Sequence, residues 1–132
     1  MTKETDLANE NFWDEPCGES HFKSLGFESL SQFDDWFFNY QYPYLSKLIP
    51  FDSFAGKKIL EVGLGYGSVS QRIMESGASF FGLDLAKGPV RLVRERLKEK
   101  GFPGEVVQGS ALDCPWGDST FDGVVSIGCL HH

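Results

Sequence analysis

Ten residues, ILEVGLGYGS from Ile59 to Ser68, set an acid and three glycines where a ligand can be held. Glu61 stands two residues before Gly63, and Gly63, Gly65 and Gly67 alternate with larger residues. Glycine at this density lets a backbone turn sharply and lets a ligand approach it closely. A second acid, Asp84, closes the next apolar run, FFGLD. A dinucleotide fingerprint would read GxGxxG, with a helix N-terminus aimed at a pyrophosphate. Here Gly67 comes one residue early, and Ser68 stands where the fingerprint needs glycine. The lysine of a P-loop is missing, which argues against a nucleoside triphosphate.

Glu61 beside the loop opposes a pyrophosphate and favours a ligand that carries a cation. Asp84, at the end of a strand, is placed to accept both hydroxyls of a ribose. Together they ask for an adenosine-like group with a positive, phosphate-free tail. S-adenosylmethionine fits, with its adenosine, sulfonium and ammonium. Two plainer readings stay open: a tight strand-to-helix turn with no ligand, and Asp84 as the cap of the following helix, which does not exclude ribose binding.

These residues need elements to hold them. Lys57 to Val62, Ser79 to Leu83, Glu105 to Gln108 and Phe121 to Ile127 read as short apolar strands. Between them, Gly67 to Ser76 is predicted as a helix with Val69 and Ile73 inward and Gly77 at its C-terminal cap. Pro89 suits the first turn of the next helix, which buries Val90, Val93 and Leu97, exposes Arg91, Arg94, Glu95, Lys98 and Glu99, and stops at Gly101. Asp113 to Thr120 reads as a loop, with Asp122 satisfying loop backbone groups before the last strand. Strands alternating with amphipathic helices predict a parallel α/β sheet with right-handed crossovers. Ligands in such sheets bind at the carboxyl ends of the strands.

Upstream the signals are weaker. Residues 1–28 read as an irregular segment, 29–50 as a helical cover, and 51–132 as the sheet-bearing core. Leu30, Phe33, Phe37, Tyr40, Tyr44 and Leu48 follow helical spacing and predict one packed stripe, with Ser29 or Ser31 as cap and Pro43 as a break. The sharper alternative is that the tyrosines line a substrate pocket.

Bulk properties narrow the class. The chain has 132 residues and a net charge of −7. An acidic chain is a poor match for nucleic acid or an anionic membrane, and neither is expected as a partner. Hydrophobic residues are 41% and charged residues 23%, so a packed core is expected without metal or disulfides. Cys17, Cys114 and Cys129 are odd in number and lack CxxC spacing, which reads as reduced thiols in the cytoplasm.

The stretches LEVGLGYG, FFGLDLA and GSALDCPWGDSTFDGVVSIGCLHH, in this order, resemble a class I S-adenosylmethionine-dependent methyltransferase. The likeness is to the small-molecule branch, whose pattern runs [LI]-E-[VI]-G-x-G-x-G, G-x-D, P-F-x-D-x-[ST]-F-D-x-V and a Leu-His-His end. The upstream FWDEPCG resembles a subset of bacterial methyltransferases, so the resemblance spans residues 11–132. It implies that Glu61, Gly63, Gly65 and Gly67 wrap the methionine end, that Asp84 takes the ribose, and that Leu85 packs beside the adenine. Ser110, Ala111 and Leu112 match the segment at the adenine edge, and Ile127 and Gly128 match positions facing the methionine ammonium. Many relatives carry aspartate where Ser110 stands, and a serine hydroxyl accepts more weakly than a carboxylate.

His131 and His132 match the two histidines of the pattern, with a catalytic base role open and the start of a purification tag as the alternative. Joined with His21 and Cys17 they match no metal-site spacing, and no metal is expected. The resemblance further implies a Rossmann-like three-layer fold of seven strands, of which this chain carries strands in the order 3-2-1-4. Truncation after the fourth strand is therefore expected. Val124, Val125 and Ile127 lack a charged gatekeeper, so self-association along that strand's edge is expected. The activity implied is methyl transfer to a small-molecule acceptor, or the cofactor-binding half of it. The alternatives are a non-catalytic module for S-adenosylmethionine or S-adenosylhomocysteine and, disfavoured by Glu61 and Ser68, a dinucleotide-binding oxidoreductase domain.

Overall fold

The computed structural model describes residues 26–117 and 120–127. Four parallel strands form one sheet in the order β3-β2-β1-β4. They are β1 (Lys58–Val62), β2 (Ser79–Asp84), β3 (Gly104–Gln108) and β4 (Gly123–Ser126). Helix α1 (Leu30–Trp36), α2 (Leu45–Leu48), α3 (Ser68–Glu75) and α4 (Lys87–Glu99) complete the layers. The parallel sheet is what the alternation of strands and helices predicts, and its order is that of the partial Rossmann-like fold the resemblance implies.

Register decides which residues meet. Ile59 lies opposite Phe80 and Gly123, and Phe80 opposite Gly104. Side chains alternate along a strand, so Ile59, Phe80 and Val106 share one face. That face packs on Val69, Ile73 and Met74 of α3 and on Val90, Val93 and Leu97 of α4. On the other face, Phe81 meets the rings of Trp116 and Phe121 at 5.6 and 5.2 Å, and Leu60 and Leu83 are buried. Val124 on the same face is 62% exposed. The last strand is shorter than expected. Asp122 stands before it, accepts a hydrogen bond from the Lys58 backbone N–H at 2.9 Å and donates its own backbone N–H to the Lys58 carbonyl at 2.8 Å.

The N-terminal helical stripe holds only in part. Ser29 caps α1 by accepting from the Gln32 N–H at 3.1 Å, and Phe33 is buried. Beyond Trp36 the chain makes a π-helical turn, Phe37–Gln41, closed by the Tyr42 N–H donating to the Phe37 carbonyl at 2.8 Å. A π turn holds one residue more than an α turn, and one residue is about 100° of helical rotation. The buried positions therefore become Phe38 and Leu45, while Tyr40 is 77% exposed and Tyr44 and Leu48 are also exposed. Phe38 gains the Arg72 guanidinium 3.9 Å above its ring.

Candidate functional site

The loops at the carboxyl ends of β1 and β2 bring Glu61, the three glycines and Asp84 together. The Gly63 N–H donates to the Leu83 carbonyl at 2.9 Å, and the Gly67 N–H to the Leu64 carbonyl at 2.9 Å. Gly63, Gly65 and Gly67 have φ of 82°, 56° and 83°, the left-handed region that side chains resist. Two of them have different surroundings. A Cβ on Gly67 would lie 2.8 Å from Arg96 Nε and 2.9 Å from Val93 Cγ2, whereas a Cβ on Gly65 would meet nothing within 4 Å. Gly67 is filled by the protein, and Gly65 faces open space.

Asp84 ties the two loops to each other. Its Oδ2 accepts from the Leu64 N–H at 2.7 Å and its Oδ1 from the Ala86 N–H at 2.9 Å. Burial raises its pKa, and backbone N–H groups, Ala86 foremost and then Leu64, pull it back. The Gly65 and Leu85 N–H groups pull it back as well, so four backbone donors face the roughly four lone-pair sites of this carboxylate. The bond to Ala86 is a turn just before α4, and α4 itself has no side-chain cap hydrogen bond, so Asp84 does not take the capping role left open by the sequence.

Glu61 is 2% exposed and accepts a hydrogen bond from the Ser70 hydroxyl of α3. Burial pushes its pKa up to about 8; the Ser70 hydroxyl lowers it, Asp84 raises it and Arg96 lowers it. At neutral pH the carboxyl is mostly protonated, so burial holds off the negative charge that its position beside the loop suggests.

The third strand end joins the same edge. The Gly109 N–H donates to the Asp84 carbonyl at 2.8 Å, and Gln108 Nε2 donates to the Leu85 carbonyl at 2.9 Å. Ser110 folds a tight turn, its hydroxyl accepting from the Leu112 N–H at 3.1 Å. Leu85, Ser110 and Ala111 are half-buried, and Leu112 is 71% exposed. Ile127 is half-buried against the core. Gly128, His131 and His132, together with Cys17, His21 and Cys129, lie outside the described residues. A groove of about 360 Å³ on the outer flank of α4, between Arg91, Arg94, Lys98 and Gln108, includes none of the expected site residues.

Three residues that the sequence did not single out complete the surroundings. Ser70 holds Glu61. Arg96, which is buried, forms an ion pair at 2.8 Å with the half-buried Asp34. Arg96 carries a legible signal, because it falls beside Val93 and Leu97 on the apolar stripe of α4 and an arginine there needs an acid. Its partner, far away on α1, carries none. Among the described residues no three His, Cys, Asp or Glu gather into a cluster that could hold a metal ion. Nor is any helix there long and apolar enough to cross a membrane.

Comparison with known proteins adds the family. The family described as "Methyltransferase domain" matches residues 59–132, more than half of the chain. The chain is 36% identical over 78 residues to the fatty-acid O-methyltransferase of Mycolicibacterium smegmatis, covering 58% of this chain and 28% of that protein. It is 35% identical over 78 residues to a ubiquinone biosynthesis O-methyltransferase of Aliivibrio fischeri, covering 58% and 33%. Among solved structures, the PH0226 protein of Pyrococcus horikoshii matches at 26% identity with a TM-score of 0.52, over 66% of this chain and 39% of that one. The chain spans about a third of the length of the curated relatives it matches.

Proposed function

Because this chain belongs to the methyltransferase-domain family, we propose that it holds S-adenosylmethionine at the carboxyl ends of β1 and β2 and serves methyl transfer to a small molecule. One observation carries the reading: the left-handed glycine loop opens to free space at Gly65, and the Asp84 carboxylate is fixed beside it at the end of β2. That cradle fits a ligand whose backbone-proximal part is slim and whose sugar needs a carboxylate.

Bound S-adenosylmethionine supplies an electrophilic methyl group on a sulfonium leaving group. This chain's residues supply position. Asp84 accepts the ribose hydroxyls, and Gly63, Gly65 and Gly67 let the methionine end lie against the backbone. Leu85, Ser110, Ala111 and Leu112 flank the adenine, and Ile127 and Gly128 face the ammonium. Glu61 sits beneath the loop, and a nearby cation draws off its proton, since an opposite charge favours the ionised form. In-line placement of acceptor and sulfonium is the main source of rate in such a transfer.

The acceptor is an oxygen of an apolar small molecule. Support comes from relatives named for fatty-acid and ubiquinone-pathway O-methylation. Cysteine usage supports a cytoplasmic setting. Calorimetry with S-adenosylhomocysteine and with NAD tests the reading. S-adenosylhomocysteine is expected to bind and NAD not to, and a folded Gly65→Val variant is expected to lose the ligand. NAD binding without S-adenosylhomocysteine binding overturns it.

A further inference from the structure

A loop built on three glycines has no side chains with which to hold itself, and glycine loses more freedom on ordering than any other residue. Its left-handed geometry needs a brace from outside. Helix α1 supplies contacts to two positions of it, 66 and 68. The Phe33 ring stands edge-on to Tyr66, with centroids 4.7 Å apart and planes at 65°. Asp34, the next residue, accepts a hydrogen bond from the Ser68 hydroxyl at 2.6 Å. The same carboxylate takes both terminal nitrogens of Arg96, at 2.8 and 3.1 Å. Between these two contacts lies Gly67, whose missing side chain leaves the space that Arg96 and Val93 occupy. Arg96 Nη1 also reaches Gln71 Oε1 at 3.4 Å.

Stability alone is a poor reason for this arrangement. An ion pair with Arg96 buried and Asp34 half-buried gains little over well-packed apolar residues, because the charges give up much of their water. Arg96 is 6% exposed and its Nε is buried without a hydrogen-bond partner among the described residues. What the pair delivers is geometry. A planar fork and a shared carboxylate fix α1, the last loop glycine and the first residue of α3 relative to one another.

We propose that Asp34 and Arg96 are positioning residues for the glycine loop: they clamp α1 onto residues 66–68 and hold the loop in its ligand-receiving form, so that ligand affinity is coupled to the seating of α1. The proposal rests on the function above only for the identity of the ligand. Neither residue touches the ligand space at Gly65; both act through Ser68 and Gly67.

The double variant Asp34→Leu/Arg96→Met tests it. Both replacements are apolar and leave no unpaired charge, so the variant is expected to fold, at a lower unfolding temperature because the buried Ser68 hydroxyl loses its acceptor. S-adenosylhomocysteine affinity is expected to fall about tenfold, within the usual range of coupling between sites. Amide exchange at Tyr66, Gly67 and Ser68 is expected to quicken, with β1 and β2 unchanged. A folded double variant with the parent's affinity and the parent's exchange at these three amides overturns the proposal. If the double variant does not fold, Ser68→Ala decides by the same two measurements, because it cuts only the link between the pair and the loop. If the parent itself fails to bind S-adenosylhomocysteine, the proposed function falls, and amide exchange alone decides the clamp.

Discussion

Glu61→Gln separates charge from shape at the centre of the sheet. The amide keeps the size of the acid and an oxygen to accept from Ser70, but it cannot ionise. In the parent, Glu61 has an ordinary pKa of 4.5 when unfolded and about 8 when folded. Below pH 4.5 the carboxyl is protonated in both states, and its full contribution to stability is present. As pH rises, the unfolded chain gives up the proton while the folded chain keeps it. Stability therefore falls with pH until the folded carboxyl also ionises near pH 8. At 1.36 kcal/mol for each pH unit, the loss is about 3 kcal/mol by pH 7 and about 5 kcal/mol above pH 8. Glu61→Gln lacks this loss. Asp84 and the net negative charge act on both proteins, so their effects cancel in the difference. Urea unfolding followed by tryptophan fluorescence, at constant salt from pH 4.5 to 8, gives the two curves. The variant is expected to match the parent at pH 4.5 and to exceed it by about 3 kcal/mol at pH 7. Parallel curves, or a gap that narrows as pH rises, would refute the reasoning.

Asp84→Ala removes the acceptor proposed for the ribose and frees the Leu64 and Ala86 amides; S-adenosylhomocysteine binding should weaken by at least about 1.5–3 kcal/mol, and unchanged calorimetric affinity in a folded variant would remove Asp84 from the site. Phe38→Ala should cost about 3–5 kcal/mol of stability, while Tyr40→Ala should stay within about 0.5 kcal/mol; the opposite order in chemical denaturation would contradict the π-turn register. Among the described residues β4 pairs only with β1, so the chain should sediment as a concentration-dependent oligomer. Val124→Lys should shift it toward monomer, since Val124 is exposed whereas Val125 packs on the core. A parent that sediments as a monomer at all concentrations would show that edge to be inert.

The sheet was legible because its information is local. ILEV, FFGLD and EVVQ are short apolar runs bounded by turn residues, and their alternation with amphipathic segments leaves few topologies. The path after Trp36 was not legible. A single added residue in one helical turn moves the buried position from Phe37 to Phe38, and spacing by three and four has no symbol for it. The charge state of Glu61 was hidden for another reason. Its letter is that of an acid, but its proton is set by burial under α3, which only the folded chain reveals. Asp34 and Arg96 meet across α1 and α4, and no local pattern announces a contact of that range.

The contrast between Gly65 and Gly67 extends to how the protein would fare in a cell. A residue placed at Gly65 bears only the about 1–2 kcal/mol of a left-handed backbone, because its side chain points into open space. A residue placed at Gly67 bears the same strain and collides with Arg96 and Val93 as well. Quality control removes chains that lose a few kcal/mol of stability. Alleles at codon 67 should therefore vanish from the cell, while alleles at codon 65 accumulate as abundant, inert protein. Two neighbouring glycines of one loop would separate in a screen that scores protein level and the proposed S-adenosylhomocysteine binding independently.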